Sequence, residues 1–108
     1  MADDNASAGM TDDQLAEFDR LALRYSWDVA LPEARDRPDR LLRRVMDIGT
    51  LSDIIAMERA FDPAALRHAL TAASAGALRP KAWSFWHYRL GLTSPDKQVP
   101  PLPVRRFA

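Results

Sequence analysis

The sequence predicts an all-α protein, a single compact domain of about five short helices. Apolar residues recur at helical spacing, and the periodic segments begin at threonine or proline and end near glycine. The length of 108 residues, 47% of them hydrophobic, suits one domain with one modest core. We expect a disordered acidic tail at residues 1–10, the helical domain at 11–92 and an extended proline-rich tail at 93–108.

The first helix is predicted to begin after Thr11, because Gln14 follows at capping-box spacing. Its core face is a single arc of apolar residues, namely Leu15, Phe18, Leu21, Ala22 and Tyr25. The stretch from residue 26 to 37 breaks this pattern, and Pro32 disfavours helical geometry in the residue before it. We therefore expect an ordered connector there, with Trp27 packed into the core.

A second helix is predicted to begin at Pro38 and to end at Gly49 in the left-handed conformation. Thr50 then caps a third helix, with Asp53 in its first turn, where a carboxylate is favoured by the helix dipole. Apolar residues cover most of the circumference of this third helix, namely Leu51, Ile54, Ile55, Met57 and Phe61. We therefore expect it to be the most buried element.

The fourth helix is predicted to begin at Asp62 and Pro63 and to close at Gly76, and the fifth to run from Pro80 to Gly91. Beyond Leu92, four prolines in sixteen residues exclude a further helix.

The composition excludes several functional classes. There is no cysteine, so disulfides and thiolate chemistry are excluded. The two histidines lie at no metal-binding spacing, and neither a catalytic-serine motif nor a glycine-rich phosphate loop is present. We therefore expect no enzyme, no cofactor and no metal, with His87 a hydrogen-bonded core residue and His68 on the surface.

The charges are balanced overall but unevenly distributed. Residues 1–34 carry a net charge of −6 and residues 79–108 a net charge of +5, within a total of zero. Such polarity can steer association or pair two copies, and it can equally be satisfied within the chain. The N-terminal residues lack the features of a secretory signal, and no apolar run is long enough to span a bilayer, so we expect a cytoplasmic protein without membrane contact.

The segment KAWSFWHYRLGL, residues 81–92, is the first candidate site. On a helix, one face presents Trp83, Trp86, His87 and Leu90, and the opposite face presents Lys81, Phe85 and Tyr88. The first face is expected to join the core. The second can be covered by the proline-rich tail, by a partner protein or by a second copy in a homodimer. The candidate partner interface is Lys81, Phe85, Tyr88 and Arg89.

An arginine-rich stretch in the second helix is the alternative site. Helical arginines at spacings of three and four can follow a phosphate backbone, and the candidate nucleic-acid contacts are Arg37, Arg40, Arg43 and Arg44. Aspartates alternate with these arginines, which favours a solvated, self-paired helix face. Nucleic acid is therefore the less favoured partner.

The spaced pattern Trp27-Asp28-Val29, Arg44-Val45-Met46, Gly49-Thr50, Asp53, Phe85-Trp86 and Leu90-Gly91-Leu92 resembles a group of small uncharacterised bacterial helical proteins across residues 27–92. Many members of that group are encoded beside abortive-infection nucleotidyltransferase-type toxins. The resemblance implies a toxin-like protein partner from the adjacent gene. The leading hypothesis is a non-enzymatic, antitoxin-like or regulatory protein-interaction module, and the alternative is a small DNA-binding regulator.

Overall fold

The structure, a computed structural model, describes residues 9–94 and 96–104 and is all-helical over those residues. It contains α1 (Asp12–Tyr25), α2 (Leu31–Asp36), α3 (Pro38–Ile48), α4 (Leu51–Ala60), α5 (Pro63–Thr71) and α6 (Pro80–Arg89). The predicted all-α class is confirmed, with six helices in the described part of the chain where the sequence predicts about five. The predicted tail at residues 1–10 lies mostly outside the described residues.

The additional helix, α2, replaces the predicted connector. Pro32 lies in its first turn, where a proline is tolerated because its missing N–H would have no intrahelical partner. Trp27 is also placed differently, since the turn between α1 and α2 leaves it 78% exposed. The prediction of a buried Trp27 is therefore wrong.

The centre of the core is α3, which contacts each of the other five helices. Its buried face presents Leu41, Leu42, Val45 and Met46 to α1, α5 and α6. By contrast, α4 packs mainly on α1 and α3 and buries only Asp53 and Met57. The prediction that this apolar helix is the most buried element is wrong, because Leu51, Ser52 and Arg59 on its outer side are exposed in the described structure.

Several helix ends follow the local sequence signals. Thr11 and Gln14 form the predicted capping box, and the Thr50 hydroxyl accepts the Asp53 N–H at 3.1 Å. Gly91, at φ +73°, closes α6, and the next N–H, of Leu92, donates to the His87 carbonyl at 2.9 Å.

Two predicted helix ends differ from the structure. Gly49 ends α3 at φ −67°, so the left-handed conformation predicted there is wrong. Glycine is required for space instead, because a Cβ at this position would lie 2.4 Å from the Val45 carbonyl oxygen. Gly76 lies in the loop after α5, which already ends at Thr71.

The C-terminal segment returns to the helical domain. The described residues after Leu92 form neither helix nor strand, and Val99 and Leu102 pack against the core. Within the described ranges, every helix is too short or too polar to cross a bilayer.

Candidate functional site

The two faces of α6 are separated as the sequence predicts. Trp83, Trp86 and His87 are buried, whereas Phe85 and Tyr88 are each 45% exposed. His87 Nδ1 lies 2.7 Å from the Trp83 carbonyl oxygen, so this nitrogen donates the hydrogen bond. His87 is therefore a hydrogen-bonded core residue, as predicted.

Hydrogen bonds from the buried face hold α6 in place. Trp86 Nε1 donates to the Met46 carbonyl of α3 at 2.9 Å, and Trp83 Nε1 donates to the Pro100 carbonyl at 2.7 Å. The C-terminal segment thus contacts the Trp83 side of α6. Among the described residues, this segment makes no hydrogen bond to Phe85 or Tyr88.

Phe85 lies in a groove of about 780 Å³ between the first turns of α4 and α6. We call this the α4–α6 groove; its apolar lining is Met46, Gly49, Leu51, Ile54, Pro80, Ala82 and Phe85. The polar groups at its edge are Asp47, Arg79 and Lys81. Asp47 accepts the Arg79 backbone N–H at 2.9 Å and the Arg79 Nε–H at 3.3 Å, which leaves Lys81 as the groove's cation without an ion pair in the described structure.

The apolar surface continues beyond the groove. Leu51 is 68% exposed and also lines a shallow depression on the outer side of α4, with Ile55, Ala56 and Arg59. This surface is not predicted from the sequence, because the apolar circumference of α4 indicates a buried helix. The same periodicity also fits a helix whose outer apolar side remains exposed.

Arg89, one of the predicted interface residues, is held within the domain. Its guanidinium group pairs with the Glu58 carboxylate of α4, with an Nη2–Oε1 distance of 2.7 Å, and lies 5.5 Å from the centre of the Phe85 ring. The hydrogen bond to Glu58 raises the pKa of Arg89, which stays charged. Arg89 therefore links α6 to α4 beside the Phe85 ring, while its side chain remains 41% exposed.

The four arginines predicted as nucleic-acid contacts occupy two different cavities. Arg40, Arg43 and Arg44 line one cavity with the loop between α5 and α6, and Arg40 also lines a second cavity, with Arg37, near the turn between α1 and α2. The side chain of Arg43 is only 11% exposed, since it donates to Asp39 at 3.1 Å and to the Ala69 carbonyl at 2.9 Å. Arg43 is thus mainly a link between α3 and α5.

A buried carboxylate that the sequence analysis interpreted only as a dipole partner joins α1 to α4. The Tyr25 hydroxyl donates to Asp53 at 2.6 Å, and Arg20 and Arg24 approach the same carboxylate at 3.1 and 2.9 Å. These contacts, the tyrosine first, hold the pKa of Asp53 below its ordinary value of 3.8 against the opposing effect of burial. Arg20 and Arg24 lie one helical turn apart on α1, and this spacing is the sequence signal that could have indicated a shared acidic partner.

Among the described residues, no three histidine or carboxylate side chains come together in an arrangement that would hold a metal ion. Comparisons of the chain with protein-family models, with curated proteins and with solved structures found no match.

Proposed function

We propose that this chain is a non-enzymatic protein-interaction module whose partner docks on the α4–α6 groove. The observation that carries the proposal is the exposure of α4. This helix is apolar around most of its circumference, yet it buries only Asp53 and Met57. Leu51 and Phe85 border the same groove and remain exposed. Contiguous apolar surface of this kind is typical of a protein-binding site.

The groove favours an amphipathic partner segment that carries acidic side chains. Its walls are apolar, and the cations near it, Lys81 and Arg59, have no ion pair within the described residues. A partner helix can place apolar anchors one turn apart along α4, which is about 15 Å long at ten residues. Acidic residues flanking those anchors would then meet Lys81 and Arg59.

The resemblance to small bacterial proteins encoded beside toxins supports a particular source for that partner. We infer that it is the toxin-like product of an adjacent gene, and that the module acts as its antitoxin or regulator in the cytoplasm. Such a role requires no catalytic residues, because binding alone can block the active surface of the toxin-like partner.

The proposal is tested by co-expressing the chain with the product of the adjacent gene and measuring complex formation and rescue from toxicity. Leu51→Asp is the test variant, because it places a carboxylate on the exposed apolar wall of the groove. We expect the dissociation constant to rise by at least about tenfold and rescue to be lost. Leu23→Asp is the matched control, since Leu23 is 65% exposed on α1 and does not line the groove.

Two outcomes would contradict this proposal. If Leu23→Asp weakens the complex as much as Leu51→Asp does, the groove is not the contact surface. If sedimentation shows a dimer of this chain that Leu51→Asp dissociates, and the adjacent product does not bind, the occupant of the groove is a second copy in a homodimer.

DNA binding remains the second candidate, favoured by the exposure of Arg37, Arg40 and Arg44 along α3. These arginines have no ion pair within the described residues, whereas Arg43 is held by Asp39. Phosphate contacts predict duplex binding that weakens steeply as salt rises, and an apolar groove predicts a complex that tolerates salt. Tight duplex binding that is abolished by Arg37→Ala with Arg40→Ala would favour this candidate over the first.

A further inference from the structure

A second cavity, distinct from the α4–α6 groove, lies where α3 faces the loop between α5 and α6. Its volume is about 490 Å³, and three arginine side chains border it, Arg40, Arg43 and Arg44. The loop contributes Ser74, Gly76 and Ala77. We call it the arginine cavity. The sequence places the arginines together on α3, but only the fold brings the loop opposite them.

The charges around this cavity are unbalanced. Among the described residues that line it, only Asp47 carries a carboxylate, and that carboxylate already accepts two hydrogen bonds from Arg79. Arg43 is paired with Asp39, but Arg40 and Arg44 have no ion pair in the described part of the chain. Like charges one helical turn apart repel each other. The cavity therefore has an excess of positive charge that an anion would neutralise.

One arginine of the cavity is held in place by contacts within the domain. Arg43 is anchored by its hydrogen bonds to Asp39 and to the Ala69 carbonyl, so one guanidinium group is held in position before any ligand binds. Ser74, in the loop, contributes a hydroxyl group to the lining of the same cavity. A planar guanidinium group matches the geometry of phosphate oxygens, with which it forms paired, charge-assisted hydrogen bonds.

We propose that the arginine cavity binds the phosphate group of a small phosphorylated ligand. Arg40 and Arg44 contact the phosphate oxygens and supply the positive charge, Arg43 borders the site while it stays paired with Asp39, and the Ser74 hydroxyl donates a further hydrogen bond. The volume is within the range of small-molecule sites and suits a ligand of about mononucleotide size. This inference does not depend on the proposed protein partner, because the ligand occupies a different cavity.

The test is calorimetric titration of the full chain with inorganic phosphate, adenosine monophosphate and adenosine in a chloride buffer. We expect the two phosphate-bearing probes to bind and adenosine not to bind. Arg40→Gln and Arg44→Gln are each expected to weaken binding by about tenfold, since each removes a charge-assisted hydrogen bond. Arg59→Gln is the matched control, because Arg59 is an exposed arginine on α4 that does not line the cavity.

The proposal is overturned if neither phosphate-bearing probe binds, or if Arg59→Gln weakens binding as much as Arg40→Gln does. It is also overturned if a DNA duplex binds far more tightly than adenosine monophosphate and Arg37→Gln weakens the duplex as much as Arg44→Gln. That last pattern indicates an extended phosphate-backbone contact along α3 instead of a small-ligand site. Far-UV circular dichroism of each variant serves as the control for intact helices.

Discussion

At the scale of single residues, Asp53 shows how one carboxylate can join two helices. It caps nothing itself, but its position in the first turn of α4 brings it to the Tyr25 hydroxyl and the Arg20 guanidinium group of α1. The Tyr25 hydroxyl also accepts the Thr50 N–H at 3.1 Å, so the residue that begins α4 is tied to the same cluster. The buried carboxylate is thereby fully paired, which its burial requires.

We predict that Asp53→Asn lowers the free energy of unfolding by about 1 to 3 kcal/mol at neutral pH. The pKa of Asp53 is lower in the folded state than its ordinary value of 3.8, so the ionised form stabilises the fold. Its contribution is complete above pH 3.8 and is lost as the pH falls through the folded-state pKa. Urea unfolding at a series of pH values should show a constant difference between wild type and variant from about pH 5 to 7 and a narrowing one below pH 3.8.

Asp28→Asn is the control for this prediction, because Asp28 is exposed and makes no ion pair or side-chain hydrogen bond within the described residues. Its unfolding free energy should match that of the wild type across the same range. A difference for Asp53→Asn that persists unchanged to pH 2.5 would show that the ionised carboxylate is not the source of the stabilisation.

At the scale of the elements, Gly49 and Gly91 end α3 and α6 for different physical reasons. Gly91 adopts φ +73°, a backbone conformation that is unfavourable for residues with a side chain. Asparagine tolerates this conformation better than alanine does. Gly49 has an ordinary φ, but a Cβ would collide with Val45. We predict that Gly91→Ala costs about 1 kcal/mol and Gly91→Asn less, whereas Gly49→Ala and Gly49→Asn both cost about 1 to 3 kcal/mol. Urea unfolding of the four variants distinguishes an unfavourable φ from a steric collision. If Gly49→Asn proved clearly more stable than Gly49→Ala, the collision would not explain the glycine at this position.

The elements that could be predicted are those whose signals act within one turn. Thr11 with Gln14, Thr50 with Asp53, and Gly91 with Leu92 all form bonds to backbone groups three to five residues away, so sequence spacing is sufficient. A proline can either interrupt a helix or occupy its first turn, and Pro32 occupies the first turn of α2. Deciding between them depends on the packing of Ala34, which no local pattern shows.

At the scale of the whole molecule, exposure depends on which neighbours the fold supplies. The apolar pattern of α4 is compatible with burial and with a partner surface, and only the position of α4 at the edge of the domain decides between them. The candidate sites differ in the same way. Phe85 and Tyr88 were predicted to face away from the core because helical geometry separates them from Trp86. The loop opposite Arg40 was not predictable, because its approach depends on how α5 and α6 pack.

The C-terminal segment provides a test of how far this packing extends. Trp83 Nε1 donates to the Pro100 carbonyl at 2.7 Å, and Val99 and Leu102 lie against the core. We predict that ending the chain at Gln98 lowers the free energy of unfolding by about 1 to 3 kcal/mol. The emission of Trp83 should shift to longer wavelength, since its indole gains contact with water. Tryptophan fluorescence is measured in a Trp27→Phe background, because the exposed Trp27 would otherwise contribute a water-like signal. A chain ending at Val104 retains these contacts and is the reference for the shorter chain in both measurements. Unchanged emission from the shorter chain would show that the segment does not cover Trp83. A shift without loss of partner binding would show that the Trp83 face of α6 is not part of the partner contact at the α4–α6 groove.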